Sequence, residues 1–362
     1  MSNLLSYIFI DRRGRDIYSQ SPRVPMIPAS NMKIVTGFIS MIILGDEFEI
    51  VTEFRISRDK LIVSGGPCPL LRNTEAESIS EQLNGFKIKE VLFDRAFDDD
   101  LYAPGWHSEN QGDCYQTRIT SFSVNENCIP RSRVREGKKN DDPHTGRKIP
   151  DIRPYDTLSK ILVPSSAKDV FPIFDFVESD MGKLVYTHRE RLGDILQHME
   201  TISCNFSADS LFKYLHHNKT GEPGSWRGGS KVVTREISRL KLREQVLTIV
   251  DGSGLSPLNR LTPSFLSMLI RESSKFHGGN FLEYLPSPGT GTLAGRLLEF
   301  NDYGIRAKTG TLNGVANLSG YVKKLDVAFS IMLNDFYIKE REARGIIDET
   351  LADAIYKIEK HG

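Results

Sequence analysis

The chain opens on an apolar run, Leu4–Ile10, cut off by the charged stretch Asp11–Arg15, a pattern that predicts a buried strand and a turn. A second short strand follows, then a strongly apolar helix from near Ser30 to Gly45. From about 50 to 128, strand-like runs alternate with turn signals: Phe54–Ile56, Leu61–Val63, Val91–Phe93, then Gly105-Trp106. Residues 131–148 hold seven basic and three acidic residues with no apolar periodicity, which reads as a solvated linker. Beyond 186 the period becomes helical, with Leu192, Ile195, Leu196 and Met199 at i, i+3, i+4 and i+7. Strands return at Leu318–Val322 and Val327–Leu333, and an amphipathic helix spans about 339–359. Strands and helices at both ends, with a different texture between, predict an α/β (α+β) domain split into 1–48 and 186–362. A mostly β domain at 49–185 is inserted into it.

Composition changes this picture little. The 362 residues suffice for about two domains. Lys and Arg total 47, as do Asp and Glu, and a net charge of zero argues against a protein built to grip nucleic acid or an anionic membrane. No C-x-x-C or H-E-x-x-H spacing offers a metal site. Leu4–Ile10 lacks the basic residues that precede the apolar core of a secretory leader, and Ile34–Leu44 is too short for a transmembrane segment. The expectation is a cytoplasmic protein, with Cys114 and Cys128 as free thiols. His188, His198, His216 and His217 lack a partner pattern and read as surface or capping residues.

Three short motifs carry chemistry. In Pro28-Ala29-Ser30-Asn31-Met32-Lys33, a helix starting at Ser30 puts Lys33 one turn on, its amine within reach of the serine hydroxyl. A partly desolvated lysine can take the proton that makes such a hydroxyl nucleophilic. Alone, S-x-x-K is common, and an N-cap serine beside a surface lysine is the simpler reading. Lys308-Thr309-Gly310-Thr311 offers a cation, a hydroxyl and a close backbone approach to a carboxylate. An S-x-N element occurs twice, at Ser123-Val124-Asn125 and at Ser203-Cys204-Asn205. Asp251-Gly252-Ser253-Gly254 reads as a turn, with Ser253 lacking a base in the sequence.

S-x-x-K, S-x-N and K-T-G in that order are the signature of the penicillin-binding proteins and serine β-lactamases. More narrowly, the chain resembles the D-alanyl-D-alanine carboxypeptidase/endopeptidase family, the class C low-molecular-mass penicillin-binding proteins. The resemblance rests on residues 28–33, Gly65–Pro69, Tyr115 through Asn127, Asp251–Ser256 with Asn259-Arg260, Leu285 through Arg296, and Ala307–Leu312 with Ser319–Tyr321. It implies the penicillin-binding-protein/serine β-lactamase-like transpeptidase fold, an antiparallel sheet flanked by helices. It also implies Ser203-Cys204-Asn205 as the working S-x-N, with Ser123 and Asn125 structural, and Cys204 where the family usually has Asp.

By motif position, Ser30 would be the nucleophile, Lys33 its base and Ser203 a proton relay. Asn205 would hold the substrate amide, and Lys308 and Thr309 of the K-T-G run that includes Gly310 would bind its carboxylate. The Ser30 and Thr311 amides would form the oxyanion hole. The implied partners are a D-Ala-terminated peptide or peptidoglycan fragment and acylating β-lactams, with no cofactor or metal. Members are usually exported, unlike the cytoplasmic expectation above. A β-lactamase, an esterase or a D-amino-acid peptidase on the same scaffold ranks lower, because no deacylating carboxylate is identifiable near S-x-x-K. A non-catalytic D-peptide-binding module ranks lower again, because the motif residues are intact.

Overall fold

The computed structural model describes residues 4–93, 96–98, 100–111, 113–128, 169–172 (backbone only), 182–242, 248–276 and 280–361. The expected linker at 131–148 lies outside them.

Strand β1 (Leu4–Ile10) turns into β2 (Asp16–Gln20), and a 3-10 turn, Ala29–Asn31, leads into helix α1 (Met32–Leu44). Met32 through Met41 are all buried, as an all-round apolar helix requires. The second region supplies β3 (Glu49–Ser57), β4 (Lys60–Gly65), α2 (Asn73–Leu83), β5 (Glu90–Phe93), β6 (Asp169–Pro172) and β7 (Lys183–Arg191). Then come α3 (Leu192–Thr201), α4 (Asn205–Thr220), α5 (Trp226–Arg239) and α6 (Pro263–Ser273). The hairpin β8 (Ile305–Leu312) and β9 (Val315–Val322), strand β10 (Val327–Asn334) and α7 (Glu340–His361) complete the chain.

The first sheet has the order β2-β1-β10-β9-β8 and is antiparallel throughout, so the two ends of the chain meet in it: Leu4 faces Asn334. Both its faces are covered. Ile8, Ile10, Ala328 and Met332 join the core that holds α1, α3, α4 and α6, whereas Tyr7, Phe9, Phe329 and Ile331 pack with α7 residues such as Ile347 and Leu351. This two-sided burial is why β10 reads as a continuous apolar run. Strand β8 lies at the sheet edge, which leaves alternate backbone groups open to a ligand.

The second sheet has the order β6-β5-β4-β3-β7. Ile50, Thr52, Phe54 and Ile56 are buried in alternation along β3, and Phe54 and Ile56 share a core with Ala76, Ile79 and Leu83 of α2. The sequence did not foretell that β4, β5 and β6 pair in parallel; α2 is the crossover that permits the β4–β5 pair. The strands enter and leave at one place, where the Leu192 amide donates to Phe48 O at 2.8 Å. The expected boundary at 185/186 falls inside β7.

Candidate active site

Ser30 sits in the 3-10 turn, with Ala29 before it in the left-handed region at φ 45°. Three contacts hold this strained turn. Asn317 Nδ2 donates to Pro28 O at 2.8 Å, Asn31 Nδ2 donates to Ser319 Oγ at 2.6 Å, and Gly254 presses on Ala29 from the other side. A Cβ on Gly254 would lie 1.8 Å from Ala29 O, so only glycine fits there. Gly310 of β8 also comes close to the turn: its Cβ would lie 2.8 Å from Pro28 O.

Lys33 is fully buried, and its Nζ lies 3.0 Å from Ser30 Oγ, 2.6 Å from Asn205 Oδ1 and 2.9 Å from Ser253 O. Burial pushes its amine below the usual lysine range, against the pull of Asp209, Glu200, Cys204 and Asp251. Ser253 comes to the site through its carbonyl. Its loop is tied by Asp209 Oδ1, which accepts from the amides of Gly252 and Ser253, and by Asp251, which accepts from Gly254, Ser256, Asn259 and the Trp106 indole. Burial, then each other's charge in the case of Asp209, raises both carboxyls.

Asn205 opens α4 and donates from Nδ2 to Tyr115 O at 2.8 Å. Ser203 is in the left-handed region at φ 63°, and among the described residues no hydrogen bond ties its hydroxyl to Ser30 or Lys33. Lys308 on β8 is wholly buried, its Nζ 3.5 Å from Thr309 O, and its amine is pulled down to about 7 by burial and by Lys33, with Glu200 opposing. A cavity of about 460 Å³ is lined by Ser30, Asn205 and Thr311, together with His107, Asn110 and Tyr115. The structure therefore gathers Ser30, Lys33 and Asn205 by direct bonds and puts Thr311 on the same cavity. Lys308 lies buried next to Thr309 and Gly310.

Some expectations need correction. Cys114 and Cys128 form a disulfide with Cα atoms 5.1 Å apart; the 3-10 turn Asn125–Asn127 returns the chain to within bridging range. His188 is buried and bonded to Glu190 at 2.9 Å, so it is neither a surface nor a capping residue. Ser123 and Asn125 bond to Cys68 O and Asn73, inside the second region, as a structural pair would.

Cys204 caps α4 by accepting from the Ser207 amide, and its thiol faces Glu126 Oε2 at 3.2 Å. Burial and that carboxylate push the thiol up to about 12, so an uncharged side chain sits where a carboxylate would repel Glu126. Glu126, His198 and Cys204 together have the donor chemistry of a metal site that spacing rules miss. The Arg72 guanidinium already contacts both Glu126, at 2.7 Å, and His198, at 3.3 Å.

Sequence reasoning missed His107, Asn110 and Tyr115, which only the fold brings to the cavity. It also missed Glu200, although this residue lies at i+8 from Leu192, on the apolar stripe of α3.

The D-Ala-D-Ala carboxypeptidase 3 (S13) family profile matches residues 8–171 and 175–354. The chain belongs to this family. Among its relatives, D-alanyl-D-alanine carboxypeptidase DacB of Haemophilus influenzae is 31% identical over 175 residues, 45% of this chain and 36% of that protein. The match to the first of these relatives thus spans about a third of its length. The D-alanyl-D-alanine carboxypeptidase of an Actinomadura species is 23% identical over 408 residues, covering 89% of this chain and 76% of that one. Penicillin binding protein 4 (dacB) of Haemophilus influenzae, known from a crystal structure, superposes with a TM-score of 0.80 at 20% identity, covering 98% of this chain and 96% of that one. The family fold is thus that of the penicillin-binding proteins, with antiparallel strands flanked by helices. No described helix is long and apolar enough to cross a membrane.

Proposed function

We propose that the chain is a serine-type D-Ala-D-Ala carboxypeptidase working through an acyl-serine intermediate. The observation that carries this reading is the Lys33–Ser30 contact at 3.0 Å, with the amine buried and depressed. As a free base, Lys33 has two N–H bonds to give, to Asn205 Oδ1 and Ser253 O, and a lone pair left to accept the Ser30 hydroxyl proton.

Ser30 Oγ then attacks the carbonyl of the penultimate D-residue. The C–N bond breaks, and the leaving D-Ala amine takes a proton relayed by Ser203. The amides of Ser30 and Thr311 stabilise the oxyanion, a contribution of about 3 kcal/mol per donor. Asn205 holds the substrate amide, and Lys308 with Thr309 meets the terminal carboxylate. Water deprotonated by Lys33 hydrolyses the acyl-serine and restores the hydroxyl. β-Lactams acylate the same serine; the Haemophilus relative has been solved with a β-lactam bound. The disulfide Cys114–Cys128 supports an oxidising compartment, contrary to the cytoplasmic expectation.

Incubation with a fluorescent penicillin tests the mechanism: wild type is expected to become labelled, and Ser30→Ala and Lys33→Ala are not. An unlabelled wild type, or labelling that survives Ser30→Ala, sinks it. Mass spectrometry on pentapeptides and on cross-linked dimers separates carboxypeptidase from endopeptidase action.

A further inference from the structure

Three donors from remote segments converge next to the S-x-N motif. Glu126 belongs to the 3-10 turn Asn125–Asn127 of the second region, His198 to the last turn of α3, and Cys204 to the N-cap of α4. Glu126 Oε1 lies 2.8 Å from His198 Nε2, and Oε2 lies 3.2 Å from Cys204 Sγ. One donor atom from each side chain falls within 4.8 Å of the other two. Hydrogen bonds alone do not satisfy this cluster. His198 Nε2 faces both the Arg72 guanidinium, at 3.3 Å, and Glu126 Oε1. As an N–H it donates to the carboxylate and turns a hydrogen towards the guanidinium; as a lone pair it accepts from Arg72 and meets the lone pairs of the carboxylate. Cys204 offers Glu126 only a weak S–H donor. A cation that takes a lone pair from each of the three groups removes both conflicts. The backbone that presents two of them is strained as well: Glu126 has φ 58°, and Ser203, just before Cys204, has φ 63°.

We propose that Glu126, His198 and Cys204 form a Zn2+ site that fastens the second region to α3 and to the start of α4. One thiolate, one imidazole and one carboxylate are the mixed donor set that suits Zn2+, and three protein ligands leave the fourth tetrahedral position to water. Donors about 2.0–2.3 Å from such an ion lie about 3.5 Å apart, so the contacts of 2.8 and 3.2 Å need to open by less than about 1 Å. Binding forms a Zn–S bond as the Cys204 proton leaves to solvent; His198 binds through the Nε2 lone pair and Glu126 as the carboxylate. The ion takes the place of Arg72, which donates to Glu126 Oε1 at 2.7 Å and to Pro69 O at 3.2 Å. The Arg72 side chain is 36% exposed, and those of Glu126 and His198 are 20% and 23% exposed. The guanidinium therefore has solvent to swing into, and the ion has a way in. Asn205, the partner of Lys33, directly follows Cys204, so the site lies one residue from the catalytic constellation without supplying a group to it.

The test is titration of the untagged chain, its disulfide intact, with Co2+ alone, a stand-in for Zn2+ whose bond to a thiolate gives a near-ultraviolet charge-transfer band. Wild type is expected to develop that band to an end point of one Co2+ per chain, and Zn2+ is expected to bleach it. Zn2+ is also expected to raise the Tm, because it binds the folded arrangement. Cys204→Ser, which keeps an oxygen to cap α4, is expected to lose the band, whereas Cys68→Ala is expected to keep it. His198→Gln and Glu126→Gln are expected to weaken Co2+ binding roughly tenfold or more. Arg72→Met removes the competing guanidinium and is expected to tighten it. A wild type without the band overturns the proposal, as does a band that survives Cys204→Ser or ignores both His198→Gln and Glu126→Gln, or a Tm that Zn2+ leaves unmoved. Should the ligand variants not fold, X-ray absorption of the zinc-loaded wild type is expected to show one sulfur among the ligands; a shell of nitrogen and oxygen alone overturns the proposal. None of these readouts requires acylation, so the site and the acyl-serine reading stand or fall separately.

Discussion

The amine of Lys33 donates to Asn205 Oδ1 at 2.6 Å, a bond between residues 172 positions apart. It joins the S-x-x-K helix to the S-x-N helix across everything inserted between them. The same asparagine reaches Tyr115 O, so one side chain links α1, α4 and the loop of the second region.

Gly254 and Gly45 have nearly the same φ, 81° and 83°, but different surroundings. A Cβ at Gly254 would strike Ala29 O, and one at Gly45 would meet nothing within 4 Å. Gly45→Ala is expected to cost about 1 kcal/mol and leave penicillin labelling intact. Gly254→Ala is expected to cost about 3 kcal/mol or more and to slow labelling at least tenfold by shifting Ser30. Equal effects of the two, read by urea unfolding and labelling rate, would contradict the packing argument.

Lys308→Met is expected to be more stable than wild type at pH 7, by on the order of 2 kcal/mol or more, while losing affinity for carboxylate-ended substrates. The folded amine releases its proton near 7 and the unfolded one near 10.5. Between those values the unfolded chain binds more protons, so wild-type stability climbs with pH and the gap closes. Denaturation at pH 7 and 9.5 checks the direction; a gap that widens refutes it.

Trp106→Phe removes the indole donor that reaches Asp251 Oδ2 at 2.9 Å. The expected loss is about 1–2 kcal/mol, with slower acylation because the Asp251 loop presents Ser253 O to Lys33. Unchanged labelling would show that the loop is held without this contact.

Reduction of Cys114–Cys128 opens a loop spanning 14 positions, worth about 3 kcal/mol in the chain-entropy account. The bridge adjoins Tyr115, whose carbonyl positions Asn205, so KM is expected to rise on reduction. Intact mass under alkylating conditions, without and with reductant, should reveal two masked thiols; buried Cys68 and Cys204 should react only after unfolding. Four thiols alkylated without reductant would show the bridge absent.

Local pattern made much of this protein legible. The run Leu4–Ile10, the all-apolar α1 and the i, i+3, i+4, i+7 stripe of α3 follow from side-chain period alone, and the three motifs stand in their own short segments. The choice between two S-x-N copies came from resemblance, and the bond from Lys33 to Asn205 agrees with it. What no local pattern contains is distance between remote segments. That Gly310 and Gly254 press on the Ser30 turn, that Cys114 meets Cys128, that His107 and Tyr115 wall the cavity, and that Glu200 is buried against Gly37 of α1 were decided only when the sheets and helices packed. Burial is a property of that packing: it pushes the amines of Lys33 and Lys308 below the usual lysine range and the carboxyl of Glu200 above the usual glutamate range.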